Sequence, residues 1–468
     1  MLYNTKRLQL ILFMFLNIGL LSSCSKVLDQ QPQNEVGDGA AIVNKKGAQA
    51  AVAGMYNELQ NGDYYGRNFQ IISDVSADQA QSIGTWDFYR EMDTYQVSLG
   101  NQENGFFYAR AFRAINLANH IIEKVPGLTD ATDAEKNKML GNAYFIRALS
   151  YFDLLRVYGG VPGKYGTMGL PIVTTPFKGI DASTMVARST LAEGYAQVEA
   201  DLLKAETALL VSADRTMASK SAARALLSRL YLYTGNNAKV LQYSNLVIGD
   251  ANYTLLPNFL DIFNGKLTTE SILELNFNST DQSGMRTWYV PTTKGGRGDL
   301  CAHTSFYQTA TADPRDVRGT LFAYEPTAKI YYPTKYIKAG NIDNVHILRM
   351  AEMYLNRAEA KANTDDYAGA LADLNLVRKR AGVADTAAAA TKAAVLGAIW
   401  RERNLEFAFE GHRFFDLVRT GQALTALVNV ERKNGSPVTL DVAGRQVFPI
   451  PSFEVDANNK IIQNEAYK

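Results

Sequence analysis

Residues 350–381 read MAEMYLNRAEAKANTDDYAGALADLNLVRKRA, with a spacing that predicts two helices packed against each other. Ala351 stands 3 residues before Tyr354, Tyr354 stands 13 before Tyr367, and Ala370 follows Tyr367 by 3. Small side chains at such positions let two antiparallel helices approach closely, and an aromatic ring fills the groove between them. A pair of this kind cannot bury its apolar faces alone and must stack on neighbours.

The pattern resembles the tetratricopeptide repeat, with one departure: Asn363 stands where the repeat carries Ala, and Ala362 lies beside it. Residues 221–248 have a similar look, with Gly235-Asn236 as the turn between helices. Further helices are expected at Ala48–Leu59, Gly105–Val125, Ala134–Tyr158, Thr190–Leu210 and Ser219–Thr234. Each has an apolar face and a Gly, Pro, Ser or Asp at its boundary. Two stretches break the pattern. Tyr64–Tyr95 holds Trp86, Phe88 and Tyr89, and Gly249–Tyr336 holds Trp288, Tyr289, Tyr324, Tyr331 and Tyr332. Long irregular segments in compact proteins usually carry function. The expected fold class is therefore all-α, a scaffold of helix pairs with long loops forming a binding face.

The N-terminus is a separate matter. Lys6 and Arg7 precede an apolar run from Leu8 to Leu21, interrupted only by Gln9 and Asn17. That run is too short to span a bilayer, which takes roughly 20 residues, and fits a signal segment. It ends in Leu21-Ser22-Ser23-Cys24, which resembles a lipobox, so residues 1–23 are expected to be removed and Cys24 to be the lipid attachment site. The body is near neutral, with 48 Lys plus Arg against 47 Asp plus Glu. That balance argues against nucleic acid as a partner and against a basic membrane-binding face.

Enzyme signatures are missing: no His-Glu-x-x-His, no Gly-Lys-Ser/Thr phosphate loop, no Gly-x-Ser-x-Gly elbow. His120, His303, His346 and His412 lack metal-ligand spacing. Cys301 near His303 reads either as a nucleophile pair or as a packed loop thiol. Arg349 and Glu352 form an i,i+3 pair, with Glu359 two turns on. Glu402, Glu406 and Glu410 share one helical stripe, flanked by Arg401, Arg403 and Arg413. That stripe is either a carboxylate site for hydrolysis or metal binding, or an ion-pair network neutralised by those arginines.

Four segments carry a family resemblance. They are FIRALSYFDLLRVYGGVP at 145–162, RMAEMYLNRAEA at 349–360, IWRERNLEFAFEGHRFFDLVRTG at 399–421 and QVFPIPSFEVDANNKIIQNEAY at 446–467. Behind a lipobox and in this order, they resemble the SusD/RagB-like nutrient-binding outer-membrane lipoproteins across essentially the whole mature chain. The resemblance implies a non-enzymatic protein built on about four tetratricopeptide-like pairs, and no residue pattern calls for a cofactor or a metal. It implies a lipid-anchored protein on the outer face of the outer membrane. There it would capture oligosaccharides and close as a lid over a SusC-like TonB-dependent transporter. The alternative is a peptide-binding or purely transporter-gating protein of the same family. The expected division is a signal peptide at 1–23, an N-terminal helical region at 24–240 and a C-terminal region with ligand loops at 260–468. By position, Asp74, Trp86 and Arg90 match the family's early binding loop, and Trp288 with Tyr289 matches the later one. Sugar C–H faces stack on aromatic rings, and polar side chains bond the hydroxyls, so these residue types suit the task.

Overall fold

Nearly every scaffold helix begins on a side chain that satisfies its orphan N–H groups. The helices are α1 (Lys45–Gln60), α2 (Gln102–Lys124), α3 (Asp133–Leu154), α4 (Leu191–Ala208), α5 (Lys220–Tyr233), α6 (Asn237–Ile248), α7 (Met350–Asn363), α8 (Tyr367–Arg380) and α9 (Lys392–Glu406). Thr132 and Thr190 form reciprocal capping boxes with Glu135 and Glu193. Asn44, Asn101, Ser219, Asn236, Asp366 and Thr391 cap by accepting a backbone N–H. Each such cap is worth about 1 kcal/mol. Helix α7 has no side-chain cap because it continues directly from a strand ending at Arg349.

The computed structural model describes residues 42–179, 185–388, 391–428, 430–431 and 442–468. The expected signal segment and the Cys24 attachment site lie outside the described residues. Ile42–Lys468 form one compact unit.

Helices α1 and α2, α3 and α4, α5 and α6, and α7 and α8 pack as four pairs, and neighbouring pairs pack on each other. The fold is the all-α, tetratricopeptide-like scaffold that the spacing predicts. In the last pair Ala351, Ala358, Ala362 and Ala370 are buried beside Leu355, Leu374 and Val377, with Val395 and Ile399 of α9 closing the cluster. Fully burying each larger apolar side chain stabilises by about 1.5–3 kcal/mol. Buried ion pairs fix how the pairs sit. Arg147 of α3 holds Asp201 of α4 with two bonds of 2.7 Å, and Arg229 of α5 holds Glu352 of α7 with two of 2.6 Å. The pairing of Arg349 with Glu352 expected from i,i+3 spacing does not form, because Arg229 takes Glu352 and Arg349 turns to Glu406 and Glu410.

The helix expected over 134–158 stops at Leu154 and widens into a π-helical turn, Leu155–Gly159. Gly160 then takes φ 104°, and a Cβ there would meet the Tyr165 carbonyl at 2.1 Å. The C-terminal strap runs over this turn. Phe448 donates to the Val157 carbonyl at 2.8 Å, and the buried Arg188 bonds the carbonyls of Gly169 and Ile462.

The irregular stretches are not loops throughout. They contain short strands: β1 (Ala80–Ser82), β2 (Ser271–Leu275), β3 (Leu300–Ala302), β4 (Phe322–Glu325) and β5 (Ile330–Pro333), with β6 (Val345–Arg349) following. Strands β2 and β6 pair antiparallel, and β1-β3-β5-β4 form a four-stranded sheet. Strands of three to five residues are too short to show a period of two, so the sequence pattern did not reveal them.

Candidate functional site

The four-stranded sheet joins the two irregular stretches. Ala80 pairs with Ala302 and Ser82 with Leu300, and the N–H groups of Ile83 and Gly84 donate to the Asp299 carbonyl at 2.8 and 3.0 Å. A Cβ on Gly84 would lie 2.0 Å from Asp299 Oδ1, so this approach requires glycine. The chain leaves that contact at Trp86, which is brought against the short helix Met285–Tyr289 that carries Trp288.

Trp86 and Trp288 meet edge to face, 5.6 Å between ring centroids, and Tyr89 meets Trp288 the same way at 5.0 Å. The Arg297 guanidinium sits 5.3 Å from the Trp86 ring and 4.6 Å from Trp288, held by Asp299 at 2.7 Å. Arg67 stands over Trp288 at 5.1 Å and is fixed by Glu103. Such cation–ring contacts contribute about 0.5–2 kcal/mol each and hold the indoles in place.

The five residues singled out in the sequence fall into two groups. Asp74 and Tyr289 are fully or almost fully buried, at 0 % and 1 % exposure, with the Tyr289 hydroxyl donating to Asp74 Oδ2 at 2.8 Å. Burial pushes the Asp74 carboxyl up to about 8. Trp288 is 5 % exposed and supports Trp86 from behind. Trp86 is half-buried and Arg90 partly exposed, the latter in an ion pair with Asp87. A ligand approaching this surface would thus meet Trp86, Arg90 and Arg297, with Asp74, Tyr289 and Trp288 beneath them.

Another aromatic group lies at the far edge of the same sheet, and the sequence reading did not select it. Tyr307 stacks on Tyr331 with centroids 3.6 Å apart and planes 12° from parallel, and Tyr324 sits 5.0 Å from Tyr331. Tyr324 and Tyr331 are cross-strand partners, and Tyr324 is 50 % exposed. Glu325, on the opposite side of β4, accepts from Thr293 at 2.6 Å and ties this edge to the turn after Trp288. The available signal was the pair of tyrosine-bearing segments around the Glu325–Ile330 turn. Tyr332, next to Tyr331, points into the core.

The carboxylate stripe is an ion-pair network, but not with its sequence neighbours. Glu402 pairs with Arg318 and Arg378, Glu406 with Arg318, Arg349 and Arg380, and Glu410 with Lys335 and Arg349. Arg403 and Arg413 turn instead to Asp416 and Asp78. Surrounding cations hold Glu406 and Glu410 below the usual carboxylate range despite their burial. Glu406 and Glu410 are thereby held ionised near neutral pH, with their oxygens taken up by arginines and a lysine. Burial pushes the Cys301 thiol up to about 12, while His303 bonds Ser305 and the Glu431 carbonyl. Among the described residues, no group of three or more His, Cys, Asp or Glu is placed to hold a metal ion. No described helix is long and apolar enough to cross a membrane.

Comparison with known proteins gives a consistent picture. Residues 287–467 match a family model described as the SusD family, and residues 26–232 match one described as "Starch-binding associating with outer membrane". SusD-like protein P25 of Formosa agariphila is 23 % identical over 98 % of either chain. The starch-binding protein SusD of Bacteroides thetaiotaomicron is 25 % identical over 82 % of this chain and 83 % of its own. A SusD superfamily structure from Bacteroides vulgatus superposes with a TM-score of 0.79 at 26 % identity, covering 91 % of this chain and 99 % of that one. A laminarin-binding SusD-like protein has a TM-score of 0.75 at 23 % identity, covers 91 % and 100 %, and shares the fold.

Proposed function

Since this chain belongs to the SusD family, we propose that it is a cell-surface lipoprotein that captures oligosaccharides and passes them to a SusC-like TonB-dependent transporter. Cys24 would carry the lipid that holds it on the outside of the outer membrane, and the protein would act as the transporter's lid. The mechanism is binding without chemistry.

One observation carries the reading: outside the helical scaffold, two irregular segments joined by one small sheet bring together partly exposed aromatic rings. Trp86 is backed by Trp288 and Arg297, and Tyr324 and Tyr331 are held by the β4–β5 pairing. Rings fixed before the ligand arrives lose little entropy on binding. The apolar face of a sugar ring then stacks on them, while Arg90 and Arg297 offer donors to its hydroxyls. A relative described as starch-binding and a neighbour described as laminarin-binding support sugar as the ligand class.

The test is calorimetric titration of the soluble Ser25–Lys468 form with starch- and laminarin-derived oligosaccharides and with a peptide panel. Sugar binding that Trp86→Ala weakens is the expected result. Peptide binding without sugar binding would replace this reading with the alternative. Release of new reducing ends from a bound glycan would refute binding without chemistry.

A further inference from the structure

A groove of about 360 Å³ opens between the start of α2 and the C-terminal strap at Pro451–Phe453. Its volume lies within the roughly 300–1,000 Å³ usual for small-molecule sites. Three of its walls expose large apolar groups: Leu99 at 40 %, Phe106 at 40 % and Phe453 at 48 %. Contiguous exposed apolar groups on a soluble protein mark a contact surface.

The groove is preformed. The Ser452 N–H donates to the Leu99 carbonyl at 2.9 Å, which joins its two sides. The Asn101 amide donates to the Phe88 carbonyl at 3.0 Å and to Glu91 at 2.8 Å, which fixes the end nearest the tryptophans. The floor is Gly105, where a Cβ would approach the Phe453 ring to 3.1 Å. The groove is also continuous with the aromatic site: Phe88 lines it, and the Phe88 ring meets Trp86 at 5.5 Å. Among the described residues no charged side chain lines it, and Asn101, Gln102 and Ser452 supply uncharged polar groups. A lining that combines aromatic rings with amide and hydroxyl groups matches the C–H faces and hydroxyl rims of uncharged sugars.

We propose that this groove is a set of extension subsites for the same ligand. Neutral sugar units would continue from Trp86 past Phe88 and stack on Phe106 and Phe453. The proposal rests on the oligosaccharide-binding reading and adds to it a preference for long, uncharged chains.

The experiment is titration of the soluble Ser25–Lys468 form and of Phe106→Ala and Phe453→Ala, singly and together. The probes are starch- and laminarin-derived oligosaccharides from disaccharide to octasaccharide. Both rings are partly exposed, and circular dichroism checks that the variants fold. Wild-type affinity should rise with chain length. Each substitution should cost up to about tenfold on the longest chains and leave the shortest binder within about twofold, as expected for one lost stacking contact. Affinity that stops rising with length, or a double variant that holds long chains as tightly as wild type, would overturn the proposal. If no oligosaccharide binds wild type at all, the underlying reading falls and the proposal with it. If short chains bind but length has no effect, only the proposal falls.

Discussion

Replacing Glu406 with Gln should sharply destabilise this protein without touching its proposed ligand surface. Glu406 Oε1 lies 2.5 Å from Arg349 and also bonds Arg380, and Oε2 lies 3.4 Å from Arg318. Arg318, Lys335, Arg349, Arg378 and Arg380 here face Glu270, Asp316, Glu402, Glu406 and Glu410, five cations against five carboxylates. The variant leaves five cations against four carboxylates in a nearly dry site. Two unit charges 4 Å apart interact by about 4 kcal/mol at an effective dielectric of about 20, and much of that offsets desolvation. Removing one partner forfeits the attraction and leaves the desolvation uncompensated, so the expected loss is about 3–5 kcal/mol. Guanidinium unfolding followed by circular dichroism measures it, with oligosaccharide titration run in parallel below the transition. The reasoning is refuted if stability drops by less than about 1 kcal/mol, or if the folded variant is stable yet loses binding.

Asp74→Asn tests the buried carboxyl. Its folded pKa of about 8 lies above its ordinary value of 3.8, so its contribution to stability is complete below about pH 4 and is lost as pH rises through 8. The melting temperature of wild type minus that of D74N should therefore shrink between pH 5 and pH 8 and level off above; a difference that grows with pH would contradict this. Trp288→Ala removes a buried indole and should cost about 3–5 kcal/mol in thermal unfolding. Trp86→Ala should cost only about 1 kcal/mol and act mainly on sugar affinity. The Cys301 thiol, buried and raised to about 12, should stay silent to a thiol reagent in the native protein and react upon unfolding.

What was legible in the sequence was local. Tyr354, Tyr367 and Ala370 lie within one helix pair, and the caps at Thr132, Thr190 and Ser219 stand next to the helices they start. The partners of Glu406 were not legible. Spacing offered Arg401, Arg403 and Arg413, but the fold supplies Arg318, Arg349 and Arg380 from other elements. The same limit applies at the site. Trp288 and Tyr289 are adjacent, and both are covered by residues distant in sequence: Trp288 by Trp86 and Tyr89, and Tyr289 by Asp74 and Phe409. Tyr307 and Tyr331 stack across separate segments, a contact no spacing rule reaches.

The pairing of Ala80 with Ala302 has a consequence for how this protein comes into being. Two of the four helix pairs, α5–α6 and α7–α8, close over short turns at Gly235 and Asp365, and such local contacts form quickly. The sheet closes a loop that holds pairs α3–α4 and α5–α6 within it, so its contact order is high and its closure slow. Closing the proposed ligand surface thus needs both halves of the chain, whereas the α5–α6 and α7–α8 pairs each need only a local turn.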